Sequence, residues 1–168
     1  FFGIFAIFLL DLLWEQWYFI YVIKRKWEKH MAYISTEDVK HIRNELKKEL
    51  PQYKFSVVRD HHSSVSIALM KGPAFKDYEY FDRYTHETKV GNLSDGEHHQ
   101  INQFHLESFY GKENAEILEK IHTISLTAPA KNGGKVWYNN SDAMTDYFDT
   151  AYYVHISVGK WNKSYEVV

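Results

Sequence analysis

Three aspartates, Asp142, Asp146 and Asp149, recur at i, i+4 and i+7 within the stretch SDAMTDYFDTAYYVHISVGKW, Ser141 to Trp161. Hard divalent cations choose carboxylate oxygens, so three on one helix side invite a metal reading. The competing reading is a solvated helix face with its acids near the positive end of the dipole. Carboxylates strung along one exposed helix rarely converge on a single ion, which favours the second.

Nine of the ten histidines lie beyond Met31. His61 and His62 fall in a polar turn, while His98, His99 and His105 fall in a run that reads as a strand. On a strand, His99 and His105 would share a side but stand about 20 Å apart at roughly 3.3 Å per residue, too far for one ion. His86-Glu87 opens like the zinc-protease helix motif, but Val90 occupies the place of its second histidine. No cysteine is present to act as nucleophile or thiolate ligand. No Gly-x-Ser-x-Gly elbow occurs, and Asn132-Gly133-Gly134-Lys135 lacks the spacing of a phosphate-binding loop. Asp60, Glu87, Asp95 and Glu97 are not set apart from ordinary surface acids. The expectation is a non-enzymatic chain with no cofactor. The alternative from another class is a metal-dependent nucleic-acid-processing enzyme built on the histidines and aspartates.

Aromatic residues interleaved with bases point elsewhere. Trp137-Tyr138 and Lys160-Trp161-Asn162-Lys163 are the residue types that stack on and neutralise single-stranded nucleic acid, although core and rim packing use the same residues. A net charge of −2 with both signs interspersed gives no broad footprint for a duplex, yet leaves room for a local basic patch. The candidate binding residues are Arg59, His61 and His62 on one turn, with Asp142, Asp146, Lys160 and Trp161 toward the C-terminus. The expected partner is a protein or a single-stranded nucleic acid.

The elements that must position these residues follow from periodicity. Ser35 caps a helix running to Leu50, with Val39, Ile42 and Leu46 at helical spacing, and Pro51 stops it. Tyr53, Phe55 and Val57 alternate in a first strand. Asp60 to Ser63 turns the chain, and Val65, Ile67 and Leu69 make a second strand, so the pair reads as a hairpin. FKDYEYFDRY, from Phe75, suggests a third strand; Gly91 to Gly96 is a loop; and 98–106 suggests a fourth strand. Ile117, Leu118, Ile121 and Ile124 give a helix over about 113–127 its buried side. Ser141 or Asp142 caps a short helix over 142–150 whose apolar face is Met144, Tyr147, Phe148 and Ala151. From Tyr152 the period becomes two, with Tyr152, Val154, Ile156 and Val158 on one side. The predicted fold is α+β: an antiparallel sheet with about three helices (35–50, 113–127 and 142–150) packed largely on one face, preceded by a separate apolar N-terminal helix.

Residues 1–23, FFGIFAIFLLDLLWEQWYFIYVI, are nearly continuous apolar sequence followed by Lys24-Arg25-Lys26. The length suits a membrane span. A central acid such as Asp11 or Glu15 costs about 2.5–3.5 kcal/mol, while each Leu, Ile or Phe returns roughly 0.3–0.6, so insertion is close to break-even. Basic residues on its C-terminal side would keep the following domain in the cytoplasm. Met31, just before the Ser35 helix start, is an alternative beginning. The expected division is a segment 1–30, either a membrane anchor or translated upstream sequence, and a single domain 31–168. That domain is cytoplasmic, or is held at the inner membrane facing the cytoplasm if residues 1–26 are genuine.

Two segments, MAYISTEDVKHIRNELKKELPQYKFSVVRDHHSSVSIALMKGP and WYNNSDAMTDYFDTAYYVHISVGKWNKSYE, resemble the large polyvalent protein-associated domain 29 family over about Met31 to Val168. Val57 to Ile67 and Ser141 to Phe148 carry it most specifically. The resemblance implies an accessory module of phages, plasmids and conjugative elements, whose neighbours modify, protect or process nucleic acid. It implies no catalytic residue.

Overall fold

The structure, a computed structural model, describes residues 32–128 and 137–168. The described residues divide into two compact units: 32–139 with 151–168, and the segment 140–150. The membrane and upstream-sequence readings of residues 1–30, and the apolar N-terminal helix, lie outside the described residues. Among those described, no helix is long and apolar enough to cross a membrane.

The larger unit starts with helix α1, Thr36–Glu49. A reciprocal capping box opens it: Ser35 Oγ accepts the Asp38 N–H at 3.1 Å, and Asp38 Oδ2 accepts the Ser35 N–H at 3.0 Å. Val39, Ile42 and Leu46 form the buried stripe. Strands β1 (Lys54–Asp60) and β2 (Ser64–Gly72) make the expected antiparallel hairpin. Strand β3 (Tyr78–Asp82) pairs antiparallel with β4 (Glu87–Gly91) in a two-stranded sheet of its own. Strand β5 is only His99–Gln100. Two helices follow, α2 (Leu106–Tyr110) and α3 (Lys112–Ser125). Strand β6 (Tyr153–Val158) runs parallel to β2, and β7 (Glu166–Val167) continues the parallel pairing on Lys71 and Gly72.

The fold is α+β, with three helices among the described residues. The main sheet has the order β1-β2-β6-β5, with β7 also on β2. Its β1–β2 and β5–β6 pairs are antiparallel as expected, whereas β2–β6 is parallel. The sequence between β2 and β6 allows this, because a parallel partner needs a long crossover and α2 and α3 supply one. Val57, Val65, Ile67, Leu69, Val154, Ile156 and Val158 are buried and, apart from the small Ser64 and Ala68 of β2, alternate with less buried positions. They share one core with Ile42 and Leu46 of α1 and Leu118 and Ile121 of α3. Tyr152 ties the layers together: its hydroxyl donates to Ser125 O at 2.7 Å and its carbonyl accepts the Trp137 indole N–H at 2.9 Å. Arg43 donates to Val57 O at 2.7 Å, covering part of the free edge of β1.

Strand β4 and helix α2 were not expected, and two expected elements take another form. The strand expected over 98–106 ends at Gln100. Ile101 N–H still donates to Ile156 O, but Asn102 then accepts the Phe104 N–H on its side chain, turning the chain toward α2.

The helix expected over 142–150 is a tight turn instead. Asp142 and Tyr147 form an antiparallel bridge with backbone hydrogen bonds of 2.8 and 3.0 Å, and Asp146 has φ +52°. Asp142 is the cause. Its carboxylate accepts the Met144 N–H at 2.9 Å and the Thr145 hydroxyl at 3.0 Å, a local turn that competes with the helix start such a residue also favours. The proposed apolar face gave no counterweight: Met144, Tyr147 and Phe148 are all exposed, and short helices form only where packing holds them.

The β3–β4 hairpin yields a pH prediction. Asp82 accepts from Lys89 and from the Tyr84 and Thr85 N–H groups. The Lys89 hydrogen bond first, then those two amides, holds its carboxyl down at about 2. Because the folded value is depressed, this support is complete above the unfolded carboxylate value of about 3.9 and fades as pH falls through about 2. The Tyr84 and Thr85 amide shifts should therefore hold steady from about pH 5 to pH 4 and move only near pH 2. A midpoint near 4 would show that these contacts are not made in solution.

Candidate nucleic-acid interface

Alternation leaves the other face of the main sheet open. Register places Val58, Ser66 and His155 side by side across β1, β2 and β6. The next row is Ser56, Ala68, Ser157 and Gln100. These small and polar side chains floor a depression of about 330 Å³, with His98 and Lys160 at its margin.

After β6, Gly159 adopts φ +71°, and Lys160 to Lys163 form a tight turn closed by backbone hydrogen bonds of 2.8 and 3.1 Å. This turn presents Trp161, 90% exposed, with its ring 4.7 Å from that of His98. Lys160 lies across the sheet, its Nζ donating to Ser56 Oγ at 2.7 Å. An indole so exposed contributes nothing to the core, so packing does not explain its position.

Basic charge gathers at the same end of the sheet. Lys54 stands opposite Lys71 in the β1–β2 register, Lys71 is beside Glu166 of β7, and Lys163 closes the tryptophan turn. Lys71 hydrogen-bonds the Glu166 carboxylate, and the charges of Lys71, Lys163 and Lys54 help hold that carboxyl below its ordinary value. Three lysines thus surround one paired glutamate. In the neighbouring loop Asp95 is engaged by His99 at 2.7 Å, and Glu97 is exposed. The whole-chain charge of −2 conceals this local asymmetry.

The sequence-derived candidates fall into separate groups. Lys160 and Trp161 are brought together with His98, which shares the patch but was not among them. Arg59 and His62 meet at the β1–β2 tip, where the guanidinium hydrogen-bonds the imidazole, the Thr36 hydroxyl and His61 O. It also stacks 5.8 Å from the Tyr33 ring. Those contacts fasten the hairpin tip to the start of α1. The His61 ring points to solvent, 3.6 Å from Asp60. On β1, Arg59 alternates with Ser56 and Val58, so its cluster does not share the open face. Asp142 and Asp146 belong to the 140–150 turn. Among the described residues, no three His, Asp or Glu side chains are grouped to hold a metal ion. Ser66, Gln100 and His155 were absent from the candidates; the period of two that sends Ile67 and Ile156 into the core is the signal that turns Ser66 and His155 the other way.

Residues 34–127 match the family described as large polyvalent protein associated domain 29. No curated protein and no solved structure matches the chain significantly.

Proposed function

The chain belongs to the large polyvalent protein associated domain 29 family, and from that premise we propose that it is a mobile-element accessory module that binds single-stranded nucleic acid without acting on it chemically. The observation that carries the reading is Trp161, held in solvent beside His98 and Lys160 at the lysine-rich end of an open sheet face. An exposed indole offers a base a stacking platform that tolerates any sequence, and lysines neutralise the backbone alongside it. The tryptophan turn lies beyond the matched residues 34–127, so the interface is argued for this chain and not for every family member.

The test is fluorescence anisotropy of a labelled single strand with the full chain at low salt. Binding should weaken as salt rises, because phosphate contacts release counterions. Trp161→Ala should cost about 1–3 kcal/mol of binding, roughly 5- to 150-fold, and should leave thermal stability unchanged. A blank titration at low salt, or a Trp161→Ala chain that binds like the wild type, would remove the reading.

A further inference from the structure

We infer that the depression on the open sheet face is a base-reading subsite: one unstacked base of the bound strand sits in it, its hydrogen-bonding edge turned to Ser66, Gln100 and His155. This rests on the single-strand reading above and adds selectivity to it. The polar groups of the face divide by whether they are already engaged. Ser56 Oγ is held by Lys160, and Ser157 Oγ donates to Gly159 O at 3.1 Å. Among the described residues, the Ser66 hydroxyl, the Gln100 amide and the His155 ring make no hydrogen bond or ion pair, so their capacity is open to a ligand. Together they offer donors and acceptors across adjacent strands.

Geometry fits a base better than a backbone. The two side-chain rows are about 6.6 Å apart along the strands at roughly 3.3 Å per residue, and Ser56, Ser66, Ala68 and Ser157 keep the floor low beside Val58, Gln100 and His155. The lysines that suit phosphates lie toward the β7 end, beyond the tryptophan turn. A strand stacked on Trp161 with its phosphates on those lysines turns its next base toward the depression. Stacking does not distinguish bases, whereas edge hydrogen bonds do.

The experiment compares oligomers of thymidine, cytidine and adenosine, each of about twelve nucleotides, binding to the full chain. Thymine and cytosine stack alike but present opposite edges. The wild type should favour one base by about tenfold or more. Ser66→Ala with Gln100→Ala should bring the three affinities within about twofold of one another, while Trp161→Ala lowers all three together. Equal wild-type affinities, or a preference that survives the double variant, would overturn the subsite and leave the binding reading standing. Failure to bind any oligomer would overturn both.

Discussion

Ile156→Ala should destabilise the protein by about 2–5 kcal/mol, the range for deleting a large buried aliphatic side chain. Ile156 is 1% exposed, lies beside Ile67 in the parallel β2–β6 pairing, and shares the core with helices α1 and α3. Its carbonyl also accepts the Ile101 N–H where the chain leaves the sheet. Truncation would leave a cavity that well-packed neighbours on two strands cannot easily close. Domains of this kind hold only about 5–15 kcal/mol in total, so a loss of this size shifts a urea midpoint by a large fraction. His155→Ala is the matched control: the adjacent residue faces the open side, and its replacement should change stability by no more than about 0.5 kcal/mol. Similar losses for the two would refute the alternation that separates core from interface.

That alternation was legible in the sequence because it is local. Val65, Ile67 and Leu69, and Val154, Ile156 and Val158, each announce a half-buried strand with a period of two. The Ser35 cap and the Pro51 stop announce α1 in the same way. The partner of each strand is a different matter. Nothing in the sequence says that β6 joins β2 in parallel, because pairing depends on the path of the crossover and not on composition. Short polar side chains misled for a related reason. Asp142 satisfies a helix N-terminus and an Asx turn equally well, and only the exposure of Met144 and Phe148 decides between them.

The interface was half legible. Lys160 and Trp161 are neighbours in sequence, so their chemistry could be read directly. His98, Lys54 and Lys71 reach the same end of the sheet from three other segments, and the overall charge averages such a cluster away. The family's matched stretch supplies the β1–β2 part of the floor together with His98 and Gln100, while β6 and the tryptophan turn complete the interface from outside that stretch.

Gly159→Ala should strike both fold and interface, since this residue sets the direction in which Lys160 and Trp161 leave β6. Its φ of +71° costs a side-chain-bearing residue about 1–3 kcal/mol. An added Cβ would also lie 3.2 Å from two backbone atoms, Glu97 O and Tyr165 N, neither able to swing aside as a side chain could. Overpacking of this kind adds about 1–3 kcal/mol, or relaxes by moving the turn. Gly96→Ala separates the two contributions, because Gly96 has φ +92° but nothing within 4 Å of its Cβ position. It should show the strain alone and keep its affinity for single strands. Gly159→Ala should lose more stability and also bind more weakly, as the indole shifts away from His98. If the two alanines prove equivalent in both urea unfolding and anisotropy, the close approach at Gly159 does not hold the tryptophan turn in place. Trp161 would then be an exposed residue without a fixed orientation, and a stacking platform requires that orientation to be set before the base arrives.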